Sequence, residues 1–170
     1  MSAPTDRGRR AFLGLGSRQA AAPSAIRPPW SSAQSIADHC TRCGDCIAAC
    51  PERILVADAS GAPAVDFSQG GCTFCGACAD SCRVPVFDRA LAPAWHLDIA
   101  ISERCLPRHG ILCESCRDAC GDGAIRFARA AGRTPVPQIE RDRCTGCGAC
   151  ASVCPQSAIS LAAAGAHGHG

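Results

Sequence analysis

Short apolar runs separated by turn residues recur along the chain. Ile54-Leu55-Val56, a turn at Ser60-Gly61 and the run Ala64-Val65-Asp66-Phe67 predict one short β-hairpin. The same order returns as Ala124-Ile125-Arg126-Phe127, a turn near Gly132-Arg133 and Val136–Ile139, which predicts a second. Between them Trp95, Leu97, Ile99 and Ile101 alternate with His96, Asp98 and Ala100. That period of two predicts a further strand whose apolar side faces a core or a contact between modules. Residues 1–36 carry no period and contain Pro28-Pro29, so they are expected to form a flexible basic arm. The Ala/Gly/His-rich end, residues 165–170, is expected to be a loose tail.

Each predicted hairpin is flanked by cysteines. The sixteen cysteines form four groups: Cys40, Cys43, Cys46, Cys50; Cys72, Cys75, Cys78, Cys82; Cys105, Cys113, Cys116, Cys120; and Cys144, Cys147, Cys150, Cys154. Groups one, two and four read C-x2-C-x2-C-x3-C, whereas the third has seven residues between its first two cysteines. Two copies of group–hairpin–group define two modules, 37–92 (repeats 31–60 and 61–92) and 93–164 (a divergent repeat 93–130 and a repeat 134–164). The expected class is α+β, tandem ferredoxin-like modules made of short hairpins and short helices around metal.

Three cysteines at i, i+3 and i+6 wrap a loop around one corner of a compact object, and a cubane needs four thiolates. In bacterial two-cluster ferredoxins the fourth comes from the other motif. By that resemblance the sets are Cys40, Cys43, Cys46 with Cys82; Cys72, Cys75, Cys78 with Cys50; Cys144, Cys147, Cys150 with Cys120; and Cys105, Cys113, Cys116 with Cys154. The chain is thus expected to hold four [4Fe–4S] clusters, or three if the divergent group fails. Cys105 is the weakest member, and His109, in the same loop, is an alternative ligand, although a surface histidine is the commoner case. Structural zinc sites use separated pairs of cysteines, and this spacing would leave odd ligands. Pro51 and Pro155 follow the last cysteine of groups one and four, as in the bacterial run; Arg83 and Gly121 stand there in groups two and three.

Composition adds that the core is mineral as much as hydrocarbon, since only five Phe, two Trp and no Tyr are present. Eight disulfides would require a secreted protein. Arg9-Arg10-Ala11-Phe12-Leu13-Gly14-Leu15 begins like an export signal, but the apolar run breaks at Ser17 and Arg18, short of the roughly 7–15 residues such a signal uses. A cytoplasmic chain without a membrane span is therefore expected. The formal charge of +2 says nothing about nucleic acid, because four loaded thiolate sites would bring it to roughly −6. No nucleotide-binding glycine loop, no H-E-x-x-H and no spare cysteine nucleophile is present, so no enzyme is expected.

The arrangement resembles the NapF family, ferredoxin-type accessory proteins of the periplasmic nitrate reductase system. The resemblance rests on Arg9-Arg10, Ile26-Arg27-Pro28-Pro29-Trp30, Cys40-Thr41-Arg42-Cys43, Ala94-Trp95, the long gap from Cys105 to Cys113, and Cys144-Thr145-Gly146-Cys147-Gly148-Ala149-Cys150. It implies a cytoplasmic protein that acts on the precursor of the catalytic nitrate reductase subunit and helps to load its iron–sulfur cluster before export. A plain single-electron carrier is the alternative, since both need the same thiolates.

Overall fold

The computed structural model describes residues 25–130 and 133–164. Its elements are α1 (Ala33–His39), α2 (Asp45–Ala48), β1 (Leu55–Ala57), β2 (Pro63–Val65), α3 (Ala77–Asp80), β3 (Leu97–Ile101), α4 (Ser115–Asp118), β4 (Ile125–Ala130), β5 (Arg133–Ile139), α5 (Ala149–Ser152) and β6 (Ile159–Ala163), with 3-10 turns at Leu106–His109 and Arg141–Arg143. The architecture is the expected α+β one. Both hairpins form: β1 pairs antiparallel with β2, Leu55 opposite Val65, and β4 with β5, Ile125 opposite Ile139. The alternating segment is β3, which pairs with β6, Leu97 opposite Ala163 and Ile101 opposite Ile159.

Four of the five helices are single turns of four residues. A single turn does not repay its nucleation in water, so these turns depend on what their inward residues touch. Each turns its cysteine into the core: Cys46, Cys78, Cys116 and Cys150 are all buried. In the first module Cys46 and Cys78 pack with Leu55, while Ile36, Ala62 and Val86 form a neighbouring cluster. In the second, Cys116 and Cys150 pack with Ile99, Ile125 and Ile159. The thiols thus occupy positions that an ordinary domain would fill with leucine.

Residues 25–36 depart from the expected flexible arm. The Val65 amide donates to the Ile26 carbonyl at 2.8 Å, the Trp30 amide to Ala94 at 2.6 Å, and the Asp88 amide to Trp30 at 2.8 Å. Arg27 donates to Asp58 at 2.7 Å and to the Pro63 carbonyl at 3.0 Å, and Pro28 is fully buried. The Pro-Pro pair suggested a break, yet a proline lacks only an N–H and packs well where no ladder bond is asked of it. Ser32 then caps α1 reciprocally with Ser35. Residues 1–24, with Arg9-Arg10, and the tail 165–170 lie outside the described residues.

Candidate metal centres

The cysteine loops curl because their backbone twice adopts a left-handed conformation. The residue before the second cysteine does so at Arg42 (φ 59°), Phe74 (φ 53°) and Gly146 (φ 74°). The residue after it does so at Gly44 (φ 83°), Gly76 (φ 81°) and Gly148 (φ 81°), where glycine removes the steric cost. Group three differs at this second place: Glu114 has φ −131°, and the first cysteine stands across the 3-10 turn Leu106–His109.

Four cavities result, and four thiols line each. Cys40, Cys43, Cys46 and Cys82 share the first, of about 390 Å³ measured to its open mouth, with Val84, Val86 and Phe87. Cys50, Cys72, Cys75 and Cys78 share a second of about 350 Å³, walled by Pro29, Trp30 and Phe74. Cys120, Cys144, Cys147 and Cys150 line a third of about 350 Å³, and Cys105, Cys113, Cys116 and Cys154 a fourth of about 330 Å³. In every case the fourth thiol comes from the other group of the same module. Cys105 stays with its expected companions because the 3-10 turn brings the chain back to the cavity edge, where Leu106 and Pro107 also line it.

The thiols of each cavity act on one another, and neighbouring cavities also interact, Cys147 on Cys72, Cys46 on Cys78 and Cys116 on Cys150. Burial pushes the Cys46 thiol up, and the next causes are the charges of Cys40 and Cys82. Burial raises Cys72 to about 11, Cys78 to about 11, Cys116 to about 11 and Cys150 to about 12, where Cys147 and Cys144 add their repulsion. Cys105 rises by burial and then by Cys154. Four thiolates in one apolar cavity repel one another, so only a cationic guest lets them ionise together. Backbone amides supply part of the compensation: Arg42 N–H to Cys40 Sγ at 3.4 Å, Phe74 N–H to Cys72 Sγ at 3.4 Å, Ala124 N–H to Cys120 Sγ at 3.3 Å and Ala158 N–H to Cys154 Sγ at 3.2 Å.

The size of the guest follows from the spacing. Zinc needs its sulfurs at about 2.3 Å from one point, yet among the described residues no three His, Cys, Asp or Glu come together to hold a single metal ion. Thiols spread around a cavity suit a polynuclear group such as a cubane. His109 does not join them: its Nε2–H donates to the Glu103 carbonyl at 2.7 Å. His39 ends α1 exposed.

One hydrogen bond between the modules has no counterpart in the sequence pattern, while Trp95 falls where the alternation placed a core or a contact between modules. The Cys72 amide donates to the Cys147 carbonyl at 2.7 Å, joining the second cavity to the third across the two modules. Trp95 closes over this seam, donating from Nε1 to the Thr145 carbonyl at 2.9 Å and meeting Phe67 and Phe74 edge to face at 5.8 and 5.6 Å. The available signal was the Gly70-Gly71 pair ahead of Cys72.

Paired thiol cavities on short hairpins and single-turn helices define a ferredoxin-type protein, and the model of the 4Fe-4S dicluster domain matches residues 39–86 and 111–158. The chain is 41% identical over 154 residues to the ferredoxin-type protein NapF of Escherichia coli K12, covering 90% of this chain and 94% of that one. It is 46% identical over 137 residues to NapF of Haemophilus influenzae, covering 80% and 78%. It is also 30% identical over 149 residues to the methylamine utilization ferredoxin-type protein MauM of Methylorubrum extorquens, covering 76% and 68%. The chain belongs to the NapF family of ferredoxin-type [4Fe–4S] proteins. Among the described residues no helix is long and apolar enough to cross a membrane.

Proposed function

We propose that the chain holds four [4Fe–4S] clusters, one per cavity, on the four crossed sets of cysteines given above. We further propose that it acts in the cytoplasm, without a catalytic step of its own, on the precursor of the periplasmic nitrate reductase catalytic subunit, helping to load its cluster. The observation that carries the reading is the grouping of sixteen thiols into four cavities of four. Membership in the NapF family supports the nitrate reductase system as the client. The cavities open to solvent, which suits clusters that are handed on.

Anaerobic reconstitution with iron and sulfide counts tests the first part, with about sixteen iron per chain expected at four per cubane. Cys105→Ser should lower the count by about four; an unchanged count would remove Cys105 from the set. For the second part, the loaded protein is mixed with the cluster-free precursor subunit, and iron should leave one as it appears on the other. If no iron moves, and deletion of the protein leaves that subunit fully metallated, the assembly role is wrong. The second reading, a single-electron carrier, is favoured by the direct contact of the second and third cavities. It requires clusters that survive purification and cycle reversibly between reduced and oxidised levels.

A further inference from the structure

We infer that the backbone hydrogen bond from Cys72 to Cys147 is an electronic bridge that makes the two modules one redox unit, with Gly71 as the residue that permits it. The inference rests on the cluster reading above. Within the first module, Cys46 of one cavity and Cys78 of the next share a core with Leu55. Within the second, Cys116 and Cys150 do the same with Ile99. Only the pairing of Cys72 with Cys147 connects cysteines across the two modules by a hydrogen bond, among the described residues.

Both residues line their cavities. The path from sulfur to sulfur therefore runs through Cβ, Cα and N of Cys72, across one N–H···O contact of 2.7 Å, and through C, Cα and Cβ of Cys147. Tunnelling falls off less steeply through covalent and hydrogen bonds than through empty space, so this is the favoured crossing. In the step itself one electron leaves the cluster on Cys50, Cys72, Cys75 and Cys78, which is oxidised. It arrives at the cluster on Cys120, Cys144, Cys147 and Cys150, which is reduced. No bond forms or breaks and no proton moves. A one-electron reductant such as dithionite supplies the electron in the experiment below.

The close approach is built by glycine for want of room, not for backbone freedom. Gly71 does not lie in the left-handed region, but a Cβ there would stand 2.7 Å from the Ala149 nitrogen and 2.9 Å from its Cα. Backbone atoms at that distance must move apart. Its neighbour is the natural control: a Cβ on Gly70 would meet only the Glu52 carbonyl and Ile54, at 3.8 Å. Phe67 and Trp95 hold the seam from outside.

The test is low-temperature electron paramagnetic resonance of anaerobically loaded, dithionite-reduced protein. Cys40→Ala with Cys43→Ala, combined with Cys105→Ala and Cys113→Ala, removes the outer clusters and should leave about eight iron. The two remaining reduced clusters should show mutual spin–spin broadening. Adding Gly71→Ala, which forces the two backbones apart, should measurably narrow it at unchanged iron content, and adding Gly70→Ala should leave it intact. Should the four-cysteine variant not load, the comparison is made in the complete protein. There Gly71→Ala should narrow the interaction spectrum and Gly70→Ala should leave it unchanged. Equal spectra for the two glycine variants overturn the bridge while leaving the cluster reading standing. A wild-type count far below sixteen iron instead overturns the cluster reading, and the bridge with it.

Discussion

Replacing Phe67 by alanine should open the seam between the modules without unfolding either of them. Phe67 is 8% exposed, lies against Gly148 and meets Trp95 edge to face at 5.8 Å and 79°. Burial of its ring contributes about 1.5–3 kcal/mol, and the edge-to-face pair adds roughly 0.5–1.5 kcal/mol. About 3 kcal/mol is therefore withdrawn from the closed seam. If the amide of Cys72 exchanges through opening of that seam, its exchange with deuterium should accelerate roughly a hundredfold, at about 1.4 kcal/mol per tenfold. Hydrogen exchange read by mass spectrometry on loaded protein measures this in a peptide spanning 68–75. A peptide from β4 and β5 serves as the internal reference and should not change. An acceleration below about threefold with full iron content would refute the reasoning, because a drop of 3 kcal/mol at this site would then be absent.

His109→Ala should leave the iron count unchanged, as its ring nitrogen is spent on the Glu103 carbonyl; a loss of iron would make it a ligand after all. Gly44→Ala isolates the backbone cost of a left-handed residue, since nothing lies within 4 Å of the added Cβ, and should lower the unfolding free energy by about 1 kcal/mol in a denaturant titration. The Asp58 carboxyl is held well below the usual carboxylate range, first by the Ser60 hydroxyl and then by Arg27. Its contribution is therefore complete above the unfolded value near pH 4 and fades as the pH falls below it. Melting temperatures of wild type and Asp58→Asn should differ by a constant amount above about pH 5 and converge in more acid solution. Anaerobic removal of iron should abolish the cooperative melting transition, because the single-turn helices point buried cysteines into small cores and would lose the metal those thiols share.

The elements that could be read from the sequence are those written in local patterns. Apolar runs flanking Ser60-Gly61 and Gly132-Arg133 specify hairpins without help from distant residues, and the alternation from Trp95 to Ile101 specifies a strand. Cysteine spacing specifies loops, and the resemblance to two-cluster ferredoxins suggested the crossed sets, whose members line the same cavities. Tertiary contacts left no such trace. Nothing local announces that Ile26 and Trp30 dock on β2 and on the segment 88–94, because backbone hydrogen bonds are indifferent to side-chain identity. The bond between Cys72 and Cys147 escaped for the same reason, and a glycine required by close approach looks like any other glycine.

Exposure differs between the two modules in a way that bears on air. Cys43 and Cys75 are exposed, whereas every cysteine of the second module is buried or half-buried. Dissolved oxygen and alkylating reagents attack an accessible sulfur first. Oxidative damage should therefore start at the two cavities of the first module, and the irregular third group, for all its stretched spacing, should outlast them.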